Sequence, residues 1–243
     1  MPRFFVPREQ MGDSERVIIK GKEVRHIARV LRLREGERIE IFDGKGREYL
    51  VLLKKVAREK VEGDIIKELK VNREPRVQVT LAQSLPKIDK MDWVVRKCVE
   101  LGVSRIIPLL SERTIVKLEE RKASERCRRW QRIAEQSCRQ CGRSKVIPVE
   151  RIRSFKEILE EENGVDLALI PWERGKIKIK NALKEKRKPR KILVLIGPEG
   201  GFSEEEVRGA EAKGIIPVTL GPRILRTETA GLATLAIILY ELE

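Results

Sequence analysis

Two glycine-rich breaks, each closing a run of apolar residues, lie in one stretch of this chain and limit what it can fold into. Residues 191–231 read KILVLIGPEGGFSEEEVRGAEAKGIIPVTLGPRILRTETAG. Residues 192–196 are apolar without interruption, the pattern of a strand buried on both faces of a parallel sheet. Gly197-Pro198-Glu199-Gly200-Gly201 breaks that run. Ser203 and Glu206 then have the spacing of a capping box, which predicts a helix from Ser203 that stops at Gly214. Residues 215–220 read as a second buried strand, Gly221-Pro222 breaks it, and an apolar helix is expected over about 229–240. Both junctions stand at the carboxyl ends of their strands, where open α/β sheets bind ligands.

The residues also narrow the ligand. The dinucleotide fingerprint G-x-G-x-x-G is absent, as is a phosphate loop ending in G-K-[ST]. A glycine loop with an acidic residue and no lysine is a poor phosphate cradle. It suits a ligand gripped by backbone groups, such as the adenine and ribose of S-adenosylmethionine. IGPEGGF (196–202) together with LGPRILRTETA (220–230) resembles the carboxyl-terminal knot of SPOUT-class RNA methyltransferases. More narrowly, it resembles the bacterial family that methylates N3 of a uridine in the 16S RNA of the small ribosomal subunit. MPRFF (1–5), HIARVLRLREGE (26–37), KCVELGVSRIIPLLSERT (97–114) and AEQSCRQ (134–140) fit the same family, so the resemblance spans nearly the whole chain.

The fold class expected is α/β: a parallel-sheet SPOUT-type domain preceded by a small β-barrel. In the first 70 residues, short strand-like segments (1–6, 37–42, 48–56, 60–66) surround a short helix over 22–32, with Asp43-Gly44-Lys45-Gly46 as a hairpin turn. Short strands with tight turns suggest a barrel, and the resemblance implies that it is PUA-like and binds RNA. Residues 71–76 (VNREPR) read as a linker. From 77 to 243 strands alternate with helices: strands at 77–83, 104–110, 146–149, 166–171, and helices at 89–102, 121–141, 155–162 and 177–186. That alternation means a parallel sheet covered on both faces. A C-terminal trefoil knot and a homodimer are implied by the resemblance. A dimer is also suggested by the last helix, which is apolar nearly all round, more than a surface helix needs.

The 243 residues carry 53 Lys and Arg against 38 Asp and Glu, a net charge of +15. Such an excess favours a polyanionic partner over a merely solvated surface, and the resemblance implies 16S ribosomal RNA in the small subunit. No apolar signal core opens the chain and no run is long enough to cross a bilayer, so a cytoplasmic protein without membrane contact is expected. The cysteines, Cys98, Cys127, Cys138 and Cys141, are too few for a disulfide scaffold. Cys138-x-x-Cys141 lacks a second ligand pair for zinc, and the single histidine, His26, is far away in sequence. No metal is expected, and these thiols read as buried small residues.

Candidate RNA contacts are Arg3, Arg8, Arg25, Arg29 and Arg32 in the amino-terminal segment. Arg132 and Arg139 join them from the outward face of the 121–141 helix. Solvation of an exposed surface is the competing explanation for such arginines, and His26 reads as a structural, hydrogen-bonded histidine. The cofactor cup is expected from three strand ends. The first gives Ile170 and Pro171, with Trp172 and Glu173 beyond. The second gives Ile196, Gly197, Pro198, Glu199 and Gly200. The third gives Leu220 and Gly221, and continues through Leu225, Arg226 and Thr227 to Ala230. Arg226 is the candidate catalytic residue, because a guanidinium between the second turn and the last helix can hold the oxygens of an unpaired uracil and stabilise the ring anion. Thr227 and Thr229 are expected to cap the last helix. A SPOUT ribose 2′-O-methyltransferase is the alternative enzyme. Such relatives carry asparagine where Pro198 stands and a serine-asparagine motif at 226–229. A non-catalytic RNA-binding assembly factor on the same fold is the alternative of another class.

Overall fold

The computed structural model describes residues 1–12, 15–87, 90–115, 119–161, 164–186 and 188–243. Asp89 and Glu162, at the edges of two expected helices, lie outside the described residues. The chain divides into two compact units. One is Met1–Glu74 with Cys138–Val146; the other is Pro75–Ser137 with Ile147–Glu243.

The first unit is built on strands β1 (Arg3–Phe5), β2 (Arg16–Lys20), β3 (Arg38–Phe42), β4 (Glu48–Val56) and β5 (Lys60–Leu69), in the order β1-β3-β4-β5-β2. β1 runs parallel to β3, and the other pairings are antiparallel. The sheet curls through two register shifts between β4 and β5. It is a half-barrel where a small β-barrel was expected. Phe4, Val17, Ile19, Ile39, Ile41, Val51, Leu53 and Val61 fill its concave side. The expected helix at 22–32 is shorter and irregular. Helix α1 (Lys22–Arg25) passes into a π-helical turn, His26–Val30, and Arg32 follows with a left-handed φ of 52°.

Cys138–Val146 joins this unit through a carboxylate: Glu74 accepts from the Arg143 guanidinium at 2.6 Å and from the backbone N–H groups of Ser144 and Lys145 at 3.1 Å. Arg143 and Glu74 are both nearly buried. Removing one partner would strand a charge in the interior, which typically costs about 3–5 kcal/mol. The hairpin turn forms as expected, with Asp43 Oδ1 accepting from the backbone N–H of Lys45 and of Arg47.

The second unit is a seven-stranded, wholly parallel sheet. Its strands are β6 (Gln78–Ser84), β7 (Arg105–Leu110), β8 (Arg153–Ser154), β9 (Leu167–Pro171), β10 (Ile177–Lys178), β11 (Lys191–Ile196) and β12 (Ile216–Thr219), in the order β10-β12-β9-β11-β6-β7-β8. Helices α2 (Lys90–Leu101), α3 (Glu120–Cys141), α4 (Phe155–Glu161), α5 (Ile179–Glu185), α6 (Glu204–Ala212) and α7 (Thr227–Leu242) cover it. Each of the five residues from Ile192 to Ile196 is buried, which is why that strand reads apolar without alternation. Burying each such side chain contributes roughly 1.5–3 kcal/mol.

Three local expectations are corrected. Residues 146–149 are not a strand: Val149 makes one isolated bridge to Ile106, and the edge strand is β8. Apolar character there reflects packing of Ile147 in the core. The expected helix at 177–186 begins with the two residues of β10, paired to β12. The last helix starts at Thr227 rather than near 229, with Arg226 as its N-cap and no side-chain cap.

Candidate active site

Sheet order decides where the site can be. β12, β9 and β11 are adjacent and parallel, so their carboxyl ends, at Thr219, Pro171 and Ile196, stand side by side on one edge. A cleft of about 620 Å³ opens there. The loop after β11 contributes Ile196, Gly197, Pro198, Glu199, Gly200 and Phe202; β9 and its loop contribute Pro171, Trp172 and Glu173. The segment after β12 supplies Leu220, Gly221, Leu225 and Arg226, α7 supplies Thr227 and Ala230, and α2 supplies Lys90. Ile170 is the exception among the expected residues. It is fully buried in the core beneath the sheet edge and does not line the cleft.

The first loop is tight because its glycines allow it. A Cβ on Gly197 would lie 3.2 Å from the Gly201 carbonyl carbon and the Phe202 nitrogen. Gly201 closes the turn by donating to the Pro198 carbonyl at 2.9 Å. Ser203 and Glu206 form the expected capping box at the start of α6. The β7–α3 segment braces the loop from outside: Arg113 donates to the Gly200 carbonyl at 2.9 Å, and Ser203 Oγ donates to Glu112 at 2.6 Å. Lys87 N–H donates to Glu199 Oε1 at 2.9 Å. In the second loop Gly221 has φ 121°, a conformation only glycine adopts without strain, and a Cβ there would meet open space.

A buried relay joins the two loops. Gln83, fully buried at the end of β6, donates through Nε2 to Thr227 Oγ1 at 2.9 Å. Thr227 donates its own hydroxyl proton to the Gly197 carbonyl at 2.5 Å. The Thr227 hydroxyl is therefore a tie between loops and not the helix cap that was expected. Nearby, Lys90 pairs with Glu228 at 3.0 Å. Partial burial pushes the Glu228 carboxyl up; its own helix-start N–H, Lys90 and Arg226 outweigh that and hold it below its ordinary value. Among the described residues no carboxylate pairs with Arg226, which is exposed on the cleft wall.

Comparison with known proteins fits this geometry. A family described as "RNA methyltransferase domain" matches residues 72–239, and one described as "RNA methyltransferase PUA domain" matches 19–66. The ribosomal RNA small subunit methyltransferase E of Bacillus subtilis is 35% identical, over 100% of this chain and 98% of its own. The protein of that name from Synechocystis is 34% identical over 96% of this chain and 76% of its own. The chain belongs to the ribosomal RNA small subunit methyltransferase E family. A crystal structure of the Neisseria gonorrhoeae family member bound to S-adenosyl methionine superposes with a TM-score of 0.89, at 37% identity, over 99% of this chain and 98% of the other.

For this family member the basic residues divide into two groups. Arg25, Arg29, Arg32 and Arg132 are exposed, and Arg8 is exposed while donating to the Tyr49 hydroxyl at 2.9 Å. Arg3 and Arg139 are engaged inside the first unit. Arg3 pairs with buried Glu48 at 3.2 Å, donates to the Cys138 and Arg143 carbonyls and lies over the Phe42 ring. Arg139, expected to face outward, is half-buried and donates to His26 Nδ1 at 3.2 Å, with Glu23 at 3.4 Å. His26 also packs edge-on against Phe4, a structural role.

Lys90, Gln83 and Arg113 were not singled out from the sequence. Gln83 had a signal, a polar residue closing an otherwise buried strand. Lys90 and Arg113 had none, because their relation to the cleft exists only in the fold. Cys138 donates to the Lys145 carbonyl, and burial pushes the Cys98 thiol up to about 12. Among the described residues no group of three or more His, Cys, Asp or Glu is placed to hold a metal, and no helix is long and apolar enough to cross a membrane.

Proposed function

We propose that this chain transfers a methyl group from S-adenosylmethionine to N3 of a uridine in the 16S RNA of the small ribosomal subunit. The observation that carries the proposal is the convergence of three parallel strand ends on one cleft with a cationic side chain, Arg226, exposed at its wall and in no ion pair among the described residues. The residues fit the cofactor: glycine turns present backbone groups at close range, and Leu220 and Leu225 offer apolar surface for an adenine. When bound there, S-adenosylmethionine supplies an electrophilic methyl group, so the protein's task is largely positioning. N3 of uracil carries a proton and is a poor nucleophile until that proton leaves. Arg226 holds the uracil oxygens and stabilises the negative charge that develops on the ring. It cannot act as the base, because a guanidinium stays protonated. N3 is engaged in base pairs, so the uridine enters unpaired or flipped.

The same reading assigns residues 1–70 to RNA binding, 71–76 to a linker and 77–243 to methyl transfer. Arg8, Arg25, Arg29, Arg32 and Arg132 are the RNA contacts it retains. It includes a trefoil knot in the C-terminal segment and a homodimer formed across α7, whose Tyr240 is 88% exposed and whose Ala236 is exposed beside it. A ribosomal RNA substrate implies work in the cytoplasm. The test is incubation with small subunits and labelled S-adenosylmethionine, followed by mass spectrometry of the digested nucleosides. N3-methyluridine is the expected product. A ribose-methylated nucleoside would convert the assignment to the 2′-O class, and cofactor binding without any product would favour an assembly factor.

A further inference from the structure

We propose that the first unit carries a discrete pocket for one unpaired nucleotide of single-stranded RNA, between the π-helical turn and the β4–β5 hairpin. The proposal rests on the reading that this chain acts on RNA. It adds a site with its own ligand chemistry.

The pocket, of about 700 Å³, is lined by Arg25, Arg29, Arg34 and Arg58, with Glu35 as its single carboxylate. Its floor is apolar: Val24 is buried, and Leu33 and Val56 pack against the core of the half-barrel. Several arginines elsewhere in the unit are engaged with carboxylates. Arg3 and Arg73 pair with Glu48, Arg139 with Glu23 and Arg143 with Glu74. Among the described residues no carboxylate pairs with the guanidinium of Arg25, Arg29, Arg34 or Arg58. This pocket brings together four exposed arginines that are in no ion pair among the described residues. The backbone that builds it is also unusual. The π-helical turn carries Arg29, and Arg32 at φ 52° turns the chain so that Arg34 returns to the pocket. π-Helical turns are frequent at functional sites.

Four guanidinium groups around an apolar floor match a nucleotide. The planar forks suit phosphodiester oxygens, and a splayed base rests on the floor or stacks on a guanidinium plane. A duplex does not match, because an A-form helix keeps its bases stacked inside and offers a convex backbone to a concave site. A target uridine that must leave its pairing partner also has single-stranded neighbours available for such a pocket.

The experiment uses the full-length protein and a fluorescent single-stranded oligouridylate, with binding followed by anisotropy across a salt series. In R29E/R58E the affinity should fall at least tenfold, and the salt slope should flatten by about 1.4, two phosphate contacts at roughly 0.7 each. S-adenosylmethionine affinity by calorimetry should be unchanged, which shows that the second unit is intact, and wild-type circular dichroism and melting show that the first is folded. K67E/K70E makes the same change in net charge outside the pocket and should keep most of the affinity. Equal losses in both variants, or no loss in R29E/R58E, would overturn the pocket. So would absence of oligouridylate binding by the wild type, or competition by uridine monophosphate as strong as that by the oligonucleotide, which would mark a free-nucleotide site. Methyl transfer by the wild type to intact small subunits is measured alongside. If it occurs while the pocket variants bind normally, the nucleotide pocket alone fails; if it does not occur, the proposed activity fails independently.

Discussion

Gln83 Nε2 lies 2.9 Å from Thr227 Oγ1, and the Thr227 hydroxyl proton goes to the Gly197 carbonyl. One threonine thereby ties the end of β6, the start of α7 and the first glycine loop together beneath the cleft. Thr227→Val keeps the shape and removes the hydroxyl, leaving the Gly197 carbonyl without that donor and the buried Gln83 amide with only its bond to the Ser84 carbonyl. Such groups cost about 1–3 kcal/mol each. The variant should melt lower by several degrees and bind S-adenosylmethionine more weakly, because the two loops lose their fixed separation. Thermal denaturation with calorimetry measures both. A variant with wild-type melting and wild-type affinity would remove the tie from the account of the site.

Gly221 acts through its backbone. Its φ of 121° is strained for any residue with a side chain, yet a Cβ there meets no atom within 4 Å. Gly221→Val should therefore give a folded protein whose second loop has moved, at a conformational cost of roughly 1–3 kcal/mol. Affinity for S-adenosylmethionine should fall by an order of magnitude or more. Unchanged affinity by calorimetry in a folded variant would mean that this loop does not contact the cofactor.

The parallel sheet and the first glycine loop were legible because their signals are local. An unbroken apolar run marks burial on both faces, and Ser203 with Glu206 marks a helix start that the structure reproduces bond for bond. What was not legible depends on contacts between distant residues. Arg3 and Arg139 read as surface charges, since nothing adjacent in sequence reveals Glu48 or Glu23 as their partners. Thr227 read as a cap because threonine near a helix start commonly is one; its hydroxyl turns instead to a carbonyl thirty positions away. Ile170 was placed in the cup with its neighbour Pro171, but side chains alternate across a strand, and Ile170 faces the core.

The outer face of α7 should join two copies of the chain. Ile237 is half-buried and Tyr240 is exposed on a helix that carries no charged side chain between Glu228 and Glu241. An apolar surface of this kind on a folded protein commonly marks an interface. Ile237→Asp should shift sedimentation at micromolar concentration from dimer to monomer. A wild type that sediments only as monomer would refute the dimer directly.

Arg226 should be needed for methyl transfer and dispensable for cofactor binding. It is the N-cap of α7, its carbonyl accepts from Ala230 N–H at 2.8 Å, and its side chain lies at the cleft wall. The rival role, a salt bridge that merely shapes the loop, is not formed among the described residues: Glu228 feels the charge of Arg226 but makes its ion pair with Lys90, and Glu199 accepts from the Lys87 N–H. An exposed cation outside any ion pair beside the cleft is available to a substrate that becomes anionic. Loss of one such charge-stabilising contact typically costs on the order of a hundredfold or more in turnover. Arg226→Ala should therefore bind S-adenosylmethionine normally and lose most methyl transfer. Arg226→Lys should recover little, since an ammonium cannot form the planar, two-pronged contact of a guanidinium. Single-turnover methylation at saturating cofactor and RNA isolates the chemical step from binding. A rate near that of the wild type in Arg226→Ala would refute the catalytic role and direct attention to Lys90, Glu173 and Glu199, charged side chains that also line the cleft.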